Sequence, residues 1–285
     1  MSIVVTGATG HLGRLVVENL LERGVAAEHI LAAGRRIEKI EDLADRGVRV
    51  RGANFNDPAS LREAFTGAQK VLLTSGNEVG QRTAQHQNVI DAAKDTGVAL
   101  LVYTSVANAD TTTLRLAADH KATETAVRAS GVPFALLRNS WYVENYTGQI
   151  ETYLQRGLVL GAAGDGRISA AARADYATAA AAVLTADGQE GRIYELGGDE
   201  AFTMAELAAQ VSAASGQEVT YRNLTVDEYT RLLVDAGLPE PSAAMIADND
   251  RGVDRGDLFV TSGDLSRLID RPTTSLADAV AVALR

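Results

Sequence analysis

The chain has 285 residues, no cysteine and a formal net charge of −10. A chain of this length buries a large core without a metal or disulfide, and the absence of cysteine excludes thiolate chemistry and cysteine metal sites. The acidic balance argues against a nucleic-acid-binding surface, which needs clustered lysines and arginines. No apolar run is long enough to span a membrane and no secretory leader is evident, so we expect a cytoplasmic protein.

The first predicted strand, over residues 3–5, leads through a glycine-rich turn into a helix. Glycines in such a turn let the backbone approach a pyrophosphate and let the helix pack on the strand, while the helix N-terminus attracts the anion. The turn therefore predicts a dinucleotide site. Its candidate residues are Gly7, Thr9, Gly10, His11, Leu12 and Gly13. Exposure at a helix start explains His11 equally well.

The second predicted strand, over residues 30–33, is followed by Gly34, Arg35 and Arg36. In a dinucleotide-binding fold, an acid at this point binds the 2′-hydroxyl of NAD, whereas arginine accommodates the 2′-phosphate of NADP. The nearest carboxylate, Glu38, is in the following helix. The two arginines therefore favour NADP(H), with a pair of solvated surface arginines as the alternative.

Further cofactor contacts are expected after the third and fourth predicted strands, over residues 48–50 and 70–74. Asn54 and Phe55 are placed to cover the adenine, although a core position explains Phe55 as well. Three small residues after the fourth strand would let the backbone approach the second ribose. They are Thr74, Ser75 and Gly76.

The remaining elements of the first half continue the alternation of strands and helices. A helix is expected from about residue 80 to 96, with His86 in packing or at an interface, and strands over 100–103 and 134–137 enclose a helix from about 114 to 130. Such alternation gives parallel βαβ units with right-handed crossovers. We expect an α/β, Rossmann-like doubly wound parallel sheet, with the cofactor between the first and fourth strands.

The second half is predicted to be mostly helical. Residues 203–206 and 225–228 match the capping box that begins a helix, and a short strand near 192–196 can rejoin the main sheet. We therefore expect a Rossmann domain over 1–138 and a smaller substrate-pocket lobe over 139–285 that closes over the cofactor.

Polar side chains follow the fifth and sixth predicted strands, where the carboxyl ends of parallel strands meet. They are Tyr103, Thr104 and Ser105, and then Asn139, Ser140, Trp141 and Tyr142. Thr104 and Asn139 are expected to contact the cofactor, and His120 lies in the intervening helix. The four histidines are scattered in the sequence, which indicates no metal site.

Longer segments resemble a known family. TGATGHLG, the paired arginines and LLRNSWYVENY are similar to the NmrA-like branch of the atypical short-chain dehydrogenase/reductase superfamily. Four more segments resemble the NAD(P)H:quinone oxidoreductase type 2 family: GAAGDGRISAAARADYA, YELGGDEAFTMAELA, AGLPEP and SRLIDRPTTSLADAV. The resemblance runs essentially end to end. It implies NADPH-dependent two-electron reduction of quinones, an extended Rossmann fold and a small C-terminal lobe.

The sequence departs from the wider superfamily at its usual catalytic pair, Tyr-x-x-x-Lys. With the acid that follows this pair aligned on Glu124, Leu116 stands at the tyrosine and His120 at the lysine. Ketone reduction develops an alkoxide that needs a positioned acid, whereas hydride addition to a quinone gives a phenolate-like anion with a pKa of about 10. The missing pair counts against ketone reduction and is neutral for quinone reduction.

The resemblance suggests roles for the side chains at the sheet edge. His120 is expected to orient the nicotinamide ribose or to supply a proton, and Trp141 and Tyr142 to form part of the wall on which a flat acceptor stacks. Ser105 is a candidate to bind the acceptor oxygen or the ribose. A satisfied helix-start histidine is the alternative for His120, and a core position is the alternative for Trp141.

We expect an NADPH-dependent oxidoreductase that passes hydride to a quinone or a similar planar electrophilic acceptor, with no nucleic-acid partner. The NmrA-like resemblance leaves a second interpretation, an NAD(P)-binding redox sensor that turns nothing over. A reductase of triphenylmethane-type dyes is a third. The sequence leaves open a homodimer, the physiological acceptor, and whether the polar loop over residues 106–115 closes over the site.

Overall fold

The computed structural model of the protein describes residues 2–76, 78 and 80–285. Its strands are β1 Ile3–Val5, β2 Ile30–Gly34, β3 Arg49–Gly52, β4 Lys70–Leu73, β5 Leu100–Val106, β6 Phe134–Asn139, β7 Leu158–Gly161, β8 Arg192–Leu196 and β9 Thr220–Asn223. Its α-helices are α1 His11–Glu22, α2 Glu41–Asp45, α3 Pro58–Phe65, α4 Arg82–Asp95, α5 Ala117–Ala129, α6 Glu144–Thr147, α7 Ile150–Arg156, α8 Arg173–Thr185, α9 Met204–Ser215, α10 Val226–Asp235, α11 Glu240–Asp254, α12 Asp264–Ile269 and α13 Leu276–Ala283. None of the helices in the described part of the chain combines the length and apolar character that a bilayer crossing needs.

The larger sheet of the described residues has the strand order β3-β2-β1-β4-β5-β6-β8. β1 pairs in parallel with both β2 and β4, so that Val4 lies opposite Leu31 on one side and Val71 on the other. All three side chains are buried, because strands of a parallel sheet that is covered by helices are apolar on both faces. The predicted Rossmann-like doubly wound α/β fold is confirmed, with the order of strands reversing between β1 and β4.

Apolar stripes on the helices bury the sheet. On α1, Val16 and Leu20 recur four residues apart and are fully buried. Phe65 of α3 and Val89 of α4 share a buried cluster with Val4 of β1. This packing fixes the carboxyl ends of the strands, from which the candidate site residues extend.

Contacts divide the chain into two compact units that are interleaved in the sequence. The first unit consists of Met1–Val106, Asp119–Asn139 and Arg173–Tyr194, and the second of Ala107–Ala118, Ser140–Ala172 and Glu195–Arg285. In the first unit α8 packs on α1, where the Thr178 hydroxyl donates to Asn19 Oδ1 at 2.8 Å. The domain boundary after residue 138 stays a prediction. The contacts give units that each consist of three separate segments, whereas the prediction has two continuous domains.

The second unit contains a small sheet that the sequence analysis missed. β7 and β9 pair in parallel, with Leu158 opposite Thr220. β9 is polar and largely exposed, so it lacks the apolar run that marks a strand. β7 has such a run over residues 158–160, which the sequence analysis overlooked. The capping boxes at Thr203 and Thr225 are both formed, as predicted.

Candidate cofactor and active site

The glycine-rich turn after β1 is packed so tightly that side chains would not fit. Gly7 has a φ of +65°, which favours glycine, and a Cβ atom on Gly13 would lie 2.4 Å from the Gly7 carbonyl oxygen. A Cβ atom on Gly34, at the end of β2, would lie 2.6 Å from Thr9 Cγ2. The strand, the turn and the start of α1 therefore approach each other as closely as a dinucleotide-binding turn requires.

The start of α1 is suited to an anion. Gly10 is the N-cap residue with extended backbone, no side chain caps it, and the first turn of this described helix contains no acidic residue. His11 is exposed, whereas Leu12 is buried and anchors the helix on the sheet. The first amides of a helix lack partners within the helix and lie at its positive end. A pyrophosphate is the group that such a helix start accommodates.

The two arginines after β2 are exposed, and one is already paired. The guanidinium of Arg35 contacts Glu78 through a short ion pair. Gln85 Nε2 donates to the other oxygen of that carboxylate at 2.8 Å, and the bonds from Gln85 and Arg35 hold the pKa of Glu78 below its usual range. Arg36 lies beside Arg35 on the exposed side of the chain. A 2′-phosphate would thus meet one arginine that already has an anionic partner.

The segment Thr74–Gly76 after β4 is held by three side chains from three other places in the fold. Its successive amides donate to Thr6 Oγ1 at 3.2 Å, Thr104 Oγ1 at 2.9 Å and His86 Nε2 at 2.9 Å. His86 was predicted to lie in packing or at an interface, and in the structure it is fully buried. It also accepts the hydrogen bond from the Gly76 amide. With its amides bound internally, this segment can offer a ligand its side chains and carbonyl oxygens.

Two polar atoms near the carboxyl ends of the strands are buried without a partner among the described residues: Thr74 Oγ1 and Asn139 Oδ1. Burying a polar atom without a hydrogen bond costs about 1–3 kcal/mol. Ribose hydroxyls and the carboxamide of a dinucleotide are donors that could satisfy such atoms. The glycine turn, the uncapped helix and these two atoms together fit a bound dinucleotide.

The residues predicted to cover adenine have protein partners of their own. Asn54 Oδ1 accepts from the Asn56 amide at 3.0 Å. The Phe55 ring packs against the apolar core and meets the His86 ring edge-on, with centroids 6.3 Å apart. Both remain half-buried, so a part of each side chain faces outward. Contact with adenine stays a prediction.

His120 is buried and is held by a tyrosine. Its Nδ1 lies 2.7 Å from the Tyr103 hydroxyl. Burial lowers the pKa of His120 to about 3, and the nearby positive charge of Arg82 acts in the same direction. The ring is therefore neutral at neutral pH. His120 has a fixed orientation at the position where the wider superfamily has a lysine, and its role stays a prediction.

Ser105 belongs to a buried ionic network. Its hydroxyl donates to Glu124 Oε1 at 2.7 Å, and the same carboxylate accepts from Arg138 at 2.9 and 2.7 Å. All three residues are at most 5% exposed. The one proton of Ser105 is therefore used inside the protein. A hydrogen bond from Ser105 to an acceptor oxygen would require the bond to Glu124 to break.

The predicted site residues divide between the two units. His120, Ser105, Thr104, Thr74, Asn139 and the glycine turn all belong to the first unit, as do the arginines after β2. Trp141 and Tyr142 belong to the second unit, where both are half-buried and Tyr142 forms a bridge with Ala171. A wall for a flat acceptor, made by Trp141 and Tyr142, stays a prediction.

Sequence reasoning named Tyr103 at the end of its strand without giving it a role, and it missed Glu78 and the backbone bond of His86. Tyr103 had a signal, because a phenol in a buried strand must find a hydrogen-bond partner. Glu78 had none, since it lies 43 residues from Arg35 and outside every predicted element. In the part of the chain that the structure describes, no group of three or more His, Asp or Glu side chains could hold a metal ion.

Comparison with known proteins gives the family context for this geometry. The chain matches the NmrA-like family over residues 1–271. It is 48% identical over 278 residues to quinone oxidoreductase 2 of Escherichia coli (strain K12), an alignment that covers 98% of this chain and 97% of that protein. The crystal structure of the NADPH-dependent quinone oxidoreductase of Escherichia coli in complex with NADPH has a TM-score of 0.97 and 47% identity, and covers 99% of this chain and 100% of that one.

A second solved structure is similar over the same length. The triphenylmethane reductase of Citrobacter sp., in complex with NADP(H), has a TM-score of 0.94 and 39% identity, and covers 99% of this chain and 100% of that one. Both likenesses extend through the second half of the sequence, where the most specific segments lie. The chain therefore belongs to the NmrA-like family and resembles, from end to end, its quinone oxidoreductases of type 2.

Proposed function

We propose that the protein is an NADPH-dependent oxidoreductase that transfers hydride to a quinone or a similar planar electrophilic acceptor. The observation that carries this proposal is the 48% identity, over 98% of the chain, to a quinone oxidoreductase. The geometry supports it with a glycine turn, an uncapped helix start and two arginines that suit a 2′-phosphate. NADPH, when bound, supplies the hydride.

The residues that would hold the cofactor follow from the strand ends. The amides at the start of α1 would bind the pyrophosphate, and Arg35 and Arg36 the 2′-phosphate. Thr74 Oγ1 and Asn139 Oδ1 are buried acceptors, suited to cofactor hydroxyl or amide donors. Asn54 and Phe55 complete the predicted set toward the adenine.

Of the two described residues at the positions of the superfamily's catalytic pair, neither acts as an acid at neutral pH. Leu116 takes the place of the superfamily tyrosine, and His120 has a pKa of about 3. Reduction of a quinone tolerates this arrangement, because the phenolate-like product has a pKa of about 10 and can take its proton from water. Reduction of a simple ketone does not. The chemistry available at His120 therefore favours conjugated acceptors.

The experiment that tests this function follows NADPH oxidation by absorbance, with and without a simple benzoquinone, after subtraction of the uncatalysed reaction. NADH is the parallel donor. We expect saturable, protein-dependent turnover that prefers NADPH. Tight NADPH binding without turnover on quinones or dyes would instead favour the redox-sensor interpretation, and copurification of a partner protein would support that result.

Reduction of triphenylmethane-type dyes is the second candidate activity. The TM-score of 0.94 to the Citrobacter triphenylmethane reductase favours it. Such a dye is a conjugated, electron-poor acceptor that gains hydride at its trigonal central carbon and forms no alkoxide, so it also needs no positioned acid. Parallel assays with a quinone and a dye at equal NADPH concentration compare kcat/KM for the two acceptors and decide which class the protein prefers.

A cytoplasmic location and a homodimer are finer parts of the proposal. The absence of cysteine suits a reducing compartment. Fractionation of cells that produce the tagged protein tests the location, and light scattering coupled to gel filtration tests the assembly.

Replacing Glu78 by glutamine is expected to tighten NADPH binding about three- to fivefold, the scale of one exposed charge interaction. The Glu78 carboxylate occupies Arg35 and repels an incoming phosphate, whereas an amide keeps the shape without the charge. NADH lacks the 2′-phosphate, so its affinity should change by less than about twofold. Calorimetric titration with the oxidised forms NADP⁺ and NAD⁺, which differ by the same 2′-phosphate, measures the two changes in affinity.

The matched control for Glu78 is Glu63→Gln. Glu63 is exposed and lies 3.4 Å from Arg51, so this variant removes the same charge from another arginine pair of the first unit. It should leave the ratio of NADP⁺ to NAD⁺ affinity unchanged. If Glu78→Gln weakens NADP⁺ binding instead, Glu78 orients Arg35 and does not compete with the phosphate.

A further inference from the structure

Four buried side chains form a continuous group behind the ends of β4 and β5. His86, Tyr103 and Thr123 are at most 1% exposed, and His120 is 6% exposed. The His86 and Tyr103 rings meet edge-on with centroids 5.4 Å apart, and the Tyr103 and His120 rings stack with centroids 6.0 Å apart. Because burial excludes bulk water, each polar hydrogen of the group needs a partner within the protein.

The direction of the hydrogen bonds is fixed at one end by the backbone. An amide N–H can only donate, so the 2.9 Å bond from Gly76 makes Nε2 of His86 an acceptor. Burial lowers the pKa of His86 to about 3, so the ring is neutral and has one proton. That proton is therefore on Nδ1, which donates to Thr123 Oγ1 at 3.0 Å.

The same reasoning assigns the bond between Tyr103 and His120. Burial raises the pKa of the Tyr103 phenol, which therefore keeps its proton, while His120 is neutral. Thr123 uses its one proton to donate to the Asp119 carbonyl oxygen at 2.8 Å, so it donates none to Tyr103. The buried Tyr103 phenol needs an acceptor for its own proton, and its hydrogen bond among the described residues is the one with His120. The phenol proton is then directed at Nδ1 of His120, 2.7 Å away.

We propose that Tyr103 is a positioning residue that holds His120 in the tautomer with its proton on Nε2, so that His120 meets its ligand as a hydrogen-bond donor. Of the two roles expected for His120, this selects orientation over proton supply. In this tautomer the Nε2 proton is the only proton on the His120 ring, so donating it to a substrate would leave an imidazolate. If the Tyr103 proton then moved to Nδ1, a buried phenolate would remain, and neither anion is favourable in the protein interior. The consequence for turnover rests on the proposed function, whereas the tautomer does not.

Nitrogen-15 NMR of the full chain labelled at histidine reads the tautomers directly. Long-range correlation of ring nitrogens with ring hydrogens distinguishes the two neutral forms and the imidazolium, and single His→Gln substitutions assign the four histidines. We expect His86 with its proton on Nδ1 and His120 with its proton on Nε2 at neutral pH. A protonated Nδ1 on His120, in either the neutral or the charged form, overturns the proposal.

Tyr103→Phe tests the cause, because it keeps the ring and removes only the phenol. We expect His120 to lose its single tautomer while the His86 signals stay unchanged. Turnover with NADPH should fall about three- to tenfold at unchanged acceptor KM, the scale of one hydrogen bond. An unchanged His120 tautomer in this variant contradicts the proposal.

The matched control is Tyr153→Phe, which removes a buried phenol from the second unit. It should leave the tautomers of both buried histidines and the turnover as they are. The two proposals fail separately in this experiment: a wild-type protein without quinone turnover refutes the function, and its histidine spectrum still decides the role of Tyr103.

Discussion

Replacing Arg35 and Arg36 together by alanine is expected to weaken NADPH binding about 30- to 100-fold, and NADH binding by less than about twofold. The 2′-phosphate is the only group that distinguishes the two cofactors, and guanidinium groups bind it with charge-assisted hydrogen bonds. Both arginines are exposed at the end of β2. Calorimetric titration at low salt with the oxidised forms NADP⁺ and NAD⁺, which differ by the same 2′-phosphate, measures the two losses of affinity. Added salt should reduce the difference between them.

The control for this pair is Arg46→Ala with Arg49→Ala, which removes two exposed positive charges from the same unit. This control variant should weaken the binding of both cofactors equally and only slightly. Single substitutions separate the contributions: since Glu78 already pairs with Arg35, the loss of Arg36 should cost more than the loss of Arg35. Equal losses of NADPH and NADH affinity in the double variant would mean that these arginines do not bind the 2′-phosphate.

The fold could be predicted where local pattern and tertiary structure depend on the same residues. The turn between β1 and α1 is an example, because glycine is required at position 7 by its own φ of +65° and at position 13 by the nearby carbonyl oxygen of Gly7. β9 of the small sheet could not be predicted, since its four residues are polar and largely exposed and only the pairing with β7 makes them a strand. The length of β5 was also underestimated, because the strand continues through Thr104 to Val106 in spite of its polar residues.

The location of the candidate site could be predicted from the sequence, but its hydrogen-bond network could not. Parallel strands bring their carboxyl ends to one edge, so the positions of Thr74, Ser105 and Asn139 followed from the topology. Their partners did not, because a hydrogen bond between Ser105 and Glu124 depends on rotamers and on the packing of α5 against the sheet. His86 shows the same limit: a place in packing or at an interface was predicted, but its bond to Gly76 was not.

The hydrogen-bond network around Glu124 gives Ser105, a predicted site residue, a structural role. The carboxylate accepts from Ser105 and twice from Arg138, and Arg128 lies 3.2 Å from it at the surface. The buried guanidinium and carboxylate compensate each other's loss of hydration. Ser105 is thereby fixed by an ion pair whose main effect is on stability, and this gives a test independent of any cofactor.

Glu124→Ala is expected to lower the free energy of unfolding by about 3–5 kcal/mol, because it leaves the Arg138 guanidinium buried without its carboxylate. Both side chains are at most 6% exposed, so water cannot replace the lost partner. Urea unfolding followed by circular dichroism measures the change through the midpoint of the transition. Glu124→Gln keeps a hydrogen-bond acceptor for Arg138 and Ser105, so its free energy of unfolding should fall by less than that of Glu124→Ala.

Glu63→Ala is the control, since it removes a carboxylate from an exposed pair with Arg51, 3.4 Å apart, and should cost less than about 1 kcal/mol. The double variant Glu124→Leu with Arg138→Met removes both charges together and should recover part of the stability lost in Glu124→Ala. Equal losses for Glu124→Ala and Glu63→Ala would show that the buried pair contributes no more than a surface pair. In that case the bond from Ser105 to Glu124 would be weak enough for a ligand to displace, and a role of Ser105 toward the acceptor oxygen would become the better interpretation.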